Sequence, residues 1–90
     1  MYKITDYSKE QAKKLNVIIK PSTNKNKKID VFKKGEKIAS IGALNYMDYP
    51  NYLLIDKKLA EQKRKNYKKR FENTRHIKNT NSFYADKILW

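Results

Sequence analysis

Ten basic side chains crowd the stretch from Lys57 to Lys78: Lys57, Lys58, Lys63, Arg64, Lys65, Lys68, Lys69, Arg70, Arg75 and Lys78. Only Glu61 and Glu72 oppose them, a local excess of +8. Groups of this kind neutralise phosphates or carboxylates, and on a phosphate backbone each contact releases counterions and adds a salt-dependent, sequence-independent share of affinity. The chemistry on offer is electrostatic binding of a polyanion or an acidic protein surface, with these ten residues as the candidate binding set. A solvated helix face is the plainer alternative. Against it, the whole chain carries +13 from 22 basic and 9 acidic residues, so little acid is left for balance. Codon pressure in an AT-rich genome accounts for lysine supplying 19 of those 22, but not for the shortage of Asp and Glu.

Other chemistries have little to work with. No cysteine is present, which removes disulfides, thiolate nucleophiles and Cys-based zinc or iron–sulfur sites. His76 is the sole histidine and stands beside Arg75 without clustered carboxylates, so neither a metal site nor a cofactor is expected. Asp48, Asp56, Glu61, Glu72 and Asp86 are scattered among lysines, and no Gly-rich phosphate loop or nucleophile motif accompanies them. A Ser40-His76-Asp triad is compatible with the spacing and has nothing further in its favour. The chain is therefore expected to be a binding protein with no catalytic residues. Tyr46, Tyr49 and Tyr52, three apart beside the basic stretch, could stack nucleobases, but in a small chain short of Leu and Val they are favoured as core or protein contacts.

The elements that must position these groups can be read along the 90 residues, a length that fits one domain with a modest core. Ser8 with Gln11 three residues on has the form of a capping box opening a helix that Asn16 closes. Val17 to Lys20 reads as a strand stopped by Pro21 and a polar loop. The run from Lys28 to Phe32, a turn containing Gly35, and the run from Ile38 to Gly42 predict a β-hairpin at the centre of a small antiparallel sheet. In its first strand Ile29 and Val31 share a face; in its second either Ala39 with Ile41 or Ile38 with Ser40 does. Tyr2 to Ile4 is a candidate fourth strand. Pro50 suits the first turn of a short helix. From Asp56, a good N-cap, to Asn73 there is no Gly or Pro, which predicts the main helix, with Ala60, Tyr67 and Phe71 as a narrow apolar stripe extended by Leu59. Ser82 can cap a last helical turn. Phe83, Tyr84, Ile88, Leu89 and Trp90 are too apolar for a loose tail and are expected to fold back as an anchor or to insert into a partner protein. Tyr67, Phe71 and Trp90 should touch the sheet or each other. The fold class is thus α+β, residues 1–90 forming one small basic domain.

The longest apolar runs, Val17 to Ile19 and Tyr52 to Ile55, fall far short of the roughly 20 residues needed to span a bilayer. A soluble chain without a membrane partner is expected. The start, Met1 to Asp6, lacks the apolar core and cleavage site of a secretory signal, so the N-terminus is expected to belong to the folded unit.

Lys28-Ile29-Asp30-Val31-Phe32, Gly35, Ile38, Ile41-Gly42, Tyr46, Asp48-Tyr49 and Tyr52, the basic helix with Tyr67 and Arg70, and the ending Tyr84-Ala85-Asp86-Lys87-Ile88-Leu89-Trp90 resemble a family of small basic proteins of large DNA viruses and crAss-like tailed phages. The resemblance covers residues 28–90, leaving 1–27 as an added helix, strand and loop. Relatives often carry Arg and His where this helix has Lys and Phe, as at Phe71, and usually a Gly or Pro near Ser82. The resemblance implies a viral setting and no catalytic residues. Within that setting the apolar C-terminal anchor and the marginal domain size, which suggest a protein completed by repeated protein contacts, make a minor or auxiliary capsid component the leading expectation, present in many copies in the virion after assembly in the host cytoplasm. The partners would be the major capsid protein or another virion protein, with viral DNA as a further partner. A DNA-binding protein of replication, packaging or transcription is the alternative.

Overall fold

The computed structural model describes residues 2–90; Met1, the first residue of the expected domain, lies outside them. The chain is α+β. A helix α1 (Asp6–Lys14) leads into three strands, β1 (Ile18–Pro21), β2 (Lys27–Lys33) and β3 (Glu36–Ala43), followed by α2 (Tyr49–Leu53), α3 (Lys57–Arg70) and α4 (Asn81–Ile88). The sheet is antiparallel in the order β1-β2-β3.

The hairpin turns on two residues, Lys34 and Gly35, both at positive φ (53° and 80°), the pairing whose twist suits a two-residue connection. Ile29 pairs with Ile41 and Val31 with Ala39, and all four are buried. The register shifts between Val31 and Phe32, so that Phe32 faces Lys37 and Ile38 is the extra residue. Such a bulge re-aims a side chain. Ile38 thereby packs against the core as well, and the two pairings open in the sequence resolve as Ala39 with Ile41, joined by Ile38.

Three local expectations need correction. Thr5, not Ser8, caps α1: its hydroxyl oxygen accepts from the Ser8 amide at 3.2 Å. Ser8 is instead buried in the helix, its hydroxyl donating to the Ile88 carbonyl at 2.9 Å, an acceptor that only the tertiary fold supplies. Tyr2 to Ile4 form no strand; Tyr2 and Ile4 pack on the core as irregular chain. At the last helix Thr80 rather than Ser82 is the cap, accepting from the Phe83 amide at 3.2 Å.

Asp56 caps α3 as expected, its carboxylate accepting from the amides of Lys58 and Leu59. The helix ends at Arg70 rather than Asn73. There the Thr74 hydroxyl donates to the Phe71 carbonyl, a local bond that competes with helix propagation.

The core lies between the sheet and helices α1 and α4. Ile88 and Leu89 are fully enclosed with Ile29, Val31 and Ile41. Gly42, at φ 81°, lets this happen: a Cβ there would lie 3.0 Å from both Leu89 Cδ1 and Lys28 Cδ. α3 packs on α2 and, through Tyr67 and Trp90, on the end of α4; those two rings stack at 4.7 Å with 10° between planes, and Phe71 lies 4.7 Å from Tyr67. The expected contact among Tyr67, Phe71 and Trp90 is thus among the rings themselves.

Candidate polyanion interface

α3 presents its basic residues in two directions. Ala60 is fully buried and Tyr67 half-buried, which fixes the inward side. Arg64 lies on this flank: its Nε donates to the Trp90 carbonyl oxygen at 2.9 Å and its guanidinium sits 4.4 Å from the centre of the Tyr49 ring. One turn on, Lys68 donates to Asp86 Oδ1 at 2.7 Å, and Arg75 approaches Asp86 Oδ2 at 3.5 Å while its Nη2 holds Glu72 at 2.9 Å. Asp86 is itself fully enclosed, and a buried carboxylate is tolerated only beside compensating charge. Three of the ten candidate binding residues, Arg64, Lys68 and Arg75, therefore belong to the seam joining α3 and the following turn to α4.

The other direction is open. Lys58, Lys65 and Lys69, at i, i+7 and i+11, form a stripe along the exposed side; Lys57, also exposed, stands about 100° round from it, in line with Arg64 and Lys68. None of these four has a carboxylate within salt-bridge distance among the described residues. Glu61, the acid within this turn of helix, is drawn aside by the Tyr49 hydroxyl, which donates to it at 2.8 Å. That bond and burial raise the Tyr49 hydroxyl above its ordinary pKa, with Arg64 pulling the other way. Lys63 and Arg70 are also exposed and lie over the rings of Tyr52 and Phe71, and Lys78 is exposed beyond the helix. A shallow open groove runs along α3 between the two sides, walled by its own side chains, the seam residues Arg64 and Lys68 as well as Lys58 and Lys65. Such a surface suits an extended polymer or another protein surface rather than an enclosed small molecule.

Of the anchor residues, Tyr84, Ile88 and Leu89 are buried in the chain's own core, and Phe83 and Trp90 half-buried against it. The segment folds back and leaves these three side chains no surface to offer another protein. Tyr46 is exposed, whereas Tyr49 is buried 5.6 Å from Tyr7 and Tyr52 lies 6.4 Å from Trp90. The aromatic series thus splits, two rings structural and one outward.

Two further acids, Asp30 and Asp48, are buried, which was not read from the sequence. Lys28 Nζ is enclosed with Asp48, 2.5 Å away, and also donates to the Tyr46 carbonyl oxygen, tying β2 to the segment before α2. Burial pushes the Asp48 carboxyl up, with Lys28 counteracting. Asp30, on the sheet face away from Ile29 and Val31, accepts from the hydroxyls of Ser22 (2.6 Å) and Ser40 (2.7 Å) and from the Thr23 amide, with Lys37 at 3.6 Å. Burial raises its pKa, but these bonds outweigh it and bring it down to about 2. Asp30 thus organises the loop after β1. The signal for all three was an acid inside an apolar run, where burial demands a partner.

Ser40 donates to Asp30, and His76 Nε2 lies 2.9 Å from Glu72, so the serine-to-imidazole bond of a triad is not formed. Among the described residues no group of three or more His, Cys, Asp and Glu is arranged to hold a metal ion, and no helix is long and apolar enough to cross a membrane.

No family model, curated protein or solved structure matches this chain.

Proposed function

We propose that this chain is a non-enzymatic structural protein of a virus particle, a minor or auxiliary capsid component that lays the exposed lysine side of α3 on an anionic surface, either acidic shell protein or packaged genome. The observation that carries the proposal is the row Lys58, Lys65 and Lys69 with the neighbouring Lys57, all exposed on α3 and without a salt-bridge partner among the described residues. The viral setting comes from the resemblance of residues 28–90. The alternative, a nucleic-acid-binding protein acting in replication, packaging or transcription, is favoured by the burial of Tyr84, Ile88 and Leu89, which withdraws the C-terminal segment from partner contact.

Quantitative mass spectrometry of purified particles separates the two. A fixed, stoichiometric copy number supports the capsid component. Absence from particles, with duplex DNA binding that weakens steeply as salt rises, favours the alternative. Absence from particles without any such binding overturns both.

A further inference from the structure

Beside the head of the lysine stripe the chain turns from α2 into α3, and the turn is apolar. Leu54 is 87% exposed, Ile55 66%, Leu53 38%, and Leu59, one turn into α3, 37%. Single exposed apolar residues are ordinary, but three in succession with a fourth one turn on make a patch that water does not favour. Nothing in the fold requires it: Asp56 caps the helix and Ala60 makes the inward contact.

We infer that this corner is a docking point for a second protein, whose complementary site is an apolar pocket rimmed by carboxylates. The inference rests on the proposed capsid role and names the contact by which the chain would seat on the shell. Charge selects the occupant. Lys57 and Lys58 follow directly on the corner, so a second copy would bring like charges together on a chain already at +13. An anionic lipid surface would accept the lysines and the leucines. However, it would also meet the Asp56 carboxylate, which is held in the midst of the patch by the amides of Lys58 and Leu59. A protein site can place a donor opposite that carboxylate while its own acids face Lys57 and Lys58. Side chains of this kind, seated in a pocket and ringed by polar contacts, carry most of the affinity in protein interfaces.

The test compares wild-type chain with the charge-neutral variant Leu54→Ser/Ile55→Ser, supplied during infection and counted in purified particles. Both positions are solvent-facing, so the thermal midpoint of the variant should match that of wild type; Leu54→Ser alone serves if it does not. The expected result is a copy number reduced about tenfold or more in the variant, with binding of a duplex DNA probe unchanged. A photo-crosslinker at position 54 should then mark a shell protein at an apolar site flanked by Asp or Glu. Equal incorporation of variant and wild type overturns the docking inference and leaves the capsid role standing; absence of the wild-type chain from particles overturns both. Leu54-dependent sedimentation with phosphatidylcholine vesicles containing phosphatidylserine, or a Leu54-dependent dimer in analytical ultracentrifugation, overturns the protein partner in favour of a lipid surface or a second copy.

Discussion

On α3, Arg64 and Lys68 carry the same charge as Lys65 and Lys69 and stand next to them in the chain, yet their fates are opposite. The first pair, with Arg75 beyond the helix, closes on the Trp90 carbonyl and the enclosed Asp86. The second pair, with Lys57 and Lys58, is exposed and forms no salt bridge among the described residues. A helix turns 100° per residue, so neighbours can belong to different surfaces, and a local excess of charge does not reveal which members are already engaged. The inner group is structural: Lys68 and Arg75, with Lys87, compensate the buried Asp86 charge, and Arg64 ties the helix to the Trp90 carbonyl. The outer group has no such duty, which is why the proposed anionic surface is assigned to it.

The sharpest way to break this division is at α4. Deleting Phe83 to Trp90 removes Tyr84, Ile88 and Leu89 from the core and Asp86 from the seam. Each large buried apolar side chain is worth about 2–5 kcal/mol, against a total of about 5–15 for a whole domain, so the deletion should abolish the cooperative thermal transition followed by circular dichroism. A truncated chain that still melts cooperatively would remove α4 from the account.

Next in size is a matched pair of double variants. Lys68→Gln/Arg75→Gln leaves the buried Asp86 carboxylate with Lys87, 3.8 Å away, as its remaining cation and should lower unfolding free energy by about 1–3 kcal/mol in urea titration. Lys65→Gln/Lys69→Gln should change it by about 0.5 kcal/mol or less per site. Equal costs would erase the distinction between the two sides of the helix.

A smaller effect concerns the third buried acid. The folded Asp30 carboxyl, at about 2, lies below its unfolded value, so its contribution to stability is present above the unfolded pKa and is lost as pH falls through the folded one. Stability should therefore decline from about pH 4 to pH 2, by about 1–2 kcal/mol from this group. Asp30→Asn, which cannot ionise, should flatten that part of the urea midpoint against pH curve; an unchanged slope would show that Ser22, Ser40 and Lys37 do not hold the charge.

The hairpin was legible in the sequence because Ile29, Val31, Ala39 and Ile41 alternate around a Gly-containing turn, and the start of α3 because Asp56 precedes an unbroken run of helix formers. These are local signals. What the sequence concealed depends on contacts far along the chain. Ser8 looks like a cap until Ile88, eighty residues on, offers its carbonyl. Asp30, Asp48 and Asp86 look like scattered surface acids until the fold encloses them with Ser22 and Ser40, Lys28, and Lys68 and Arg75. The ten-residue basic set was visible in composition, but its division into seam and open side follows only once α4 has a place. The exposed corner at Leu54 and Ile55 was visible as an apolar run, too short to span a membrane, but run length does not tell exposure.

The central claim is that the outer lysines of α3 are the binding surface, and it is tested most directly by the salt dependence of duplex DNA binding, measured by fluorescence anisotropy. Lys57→Gln/Lys58→Gln/Lys65→Gln/Lys69→Gln should keep the wild-type thermal midpoint while the slope of log affinity against log salt falls by about 0.9 for each lysine that meets a phosphate. A slope and affinity identical to wild type would contradict it.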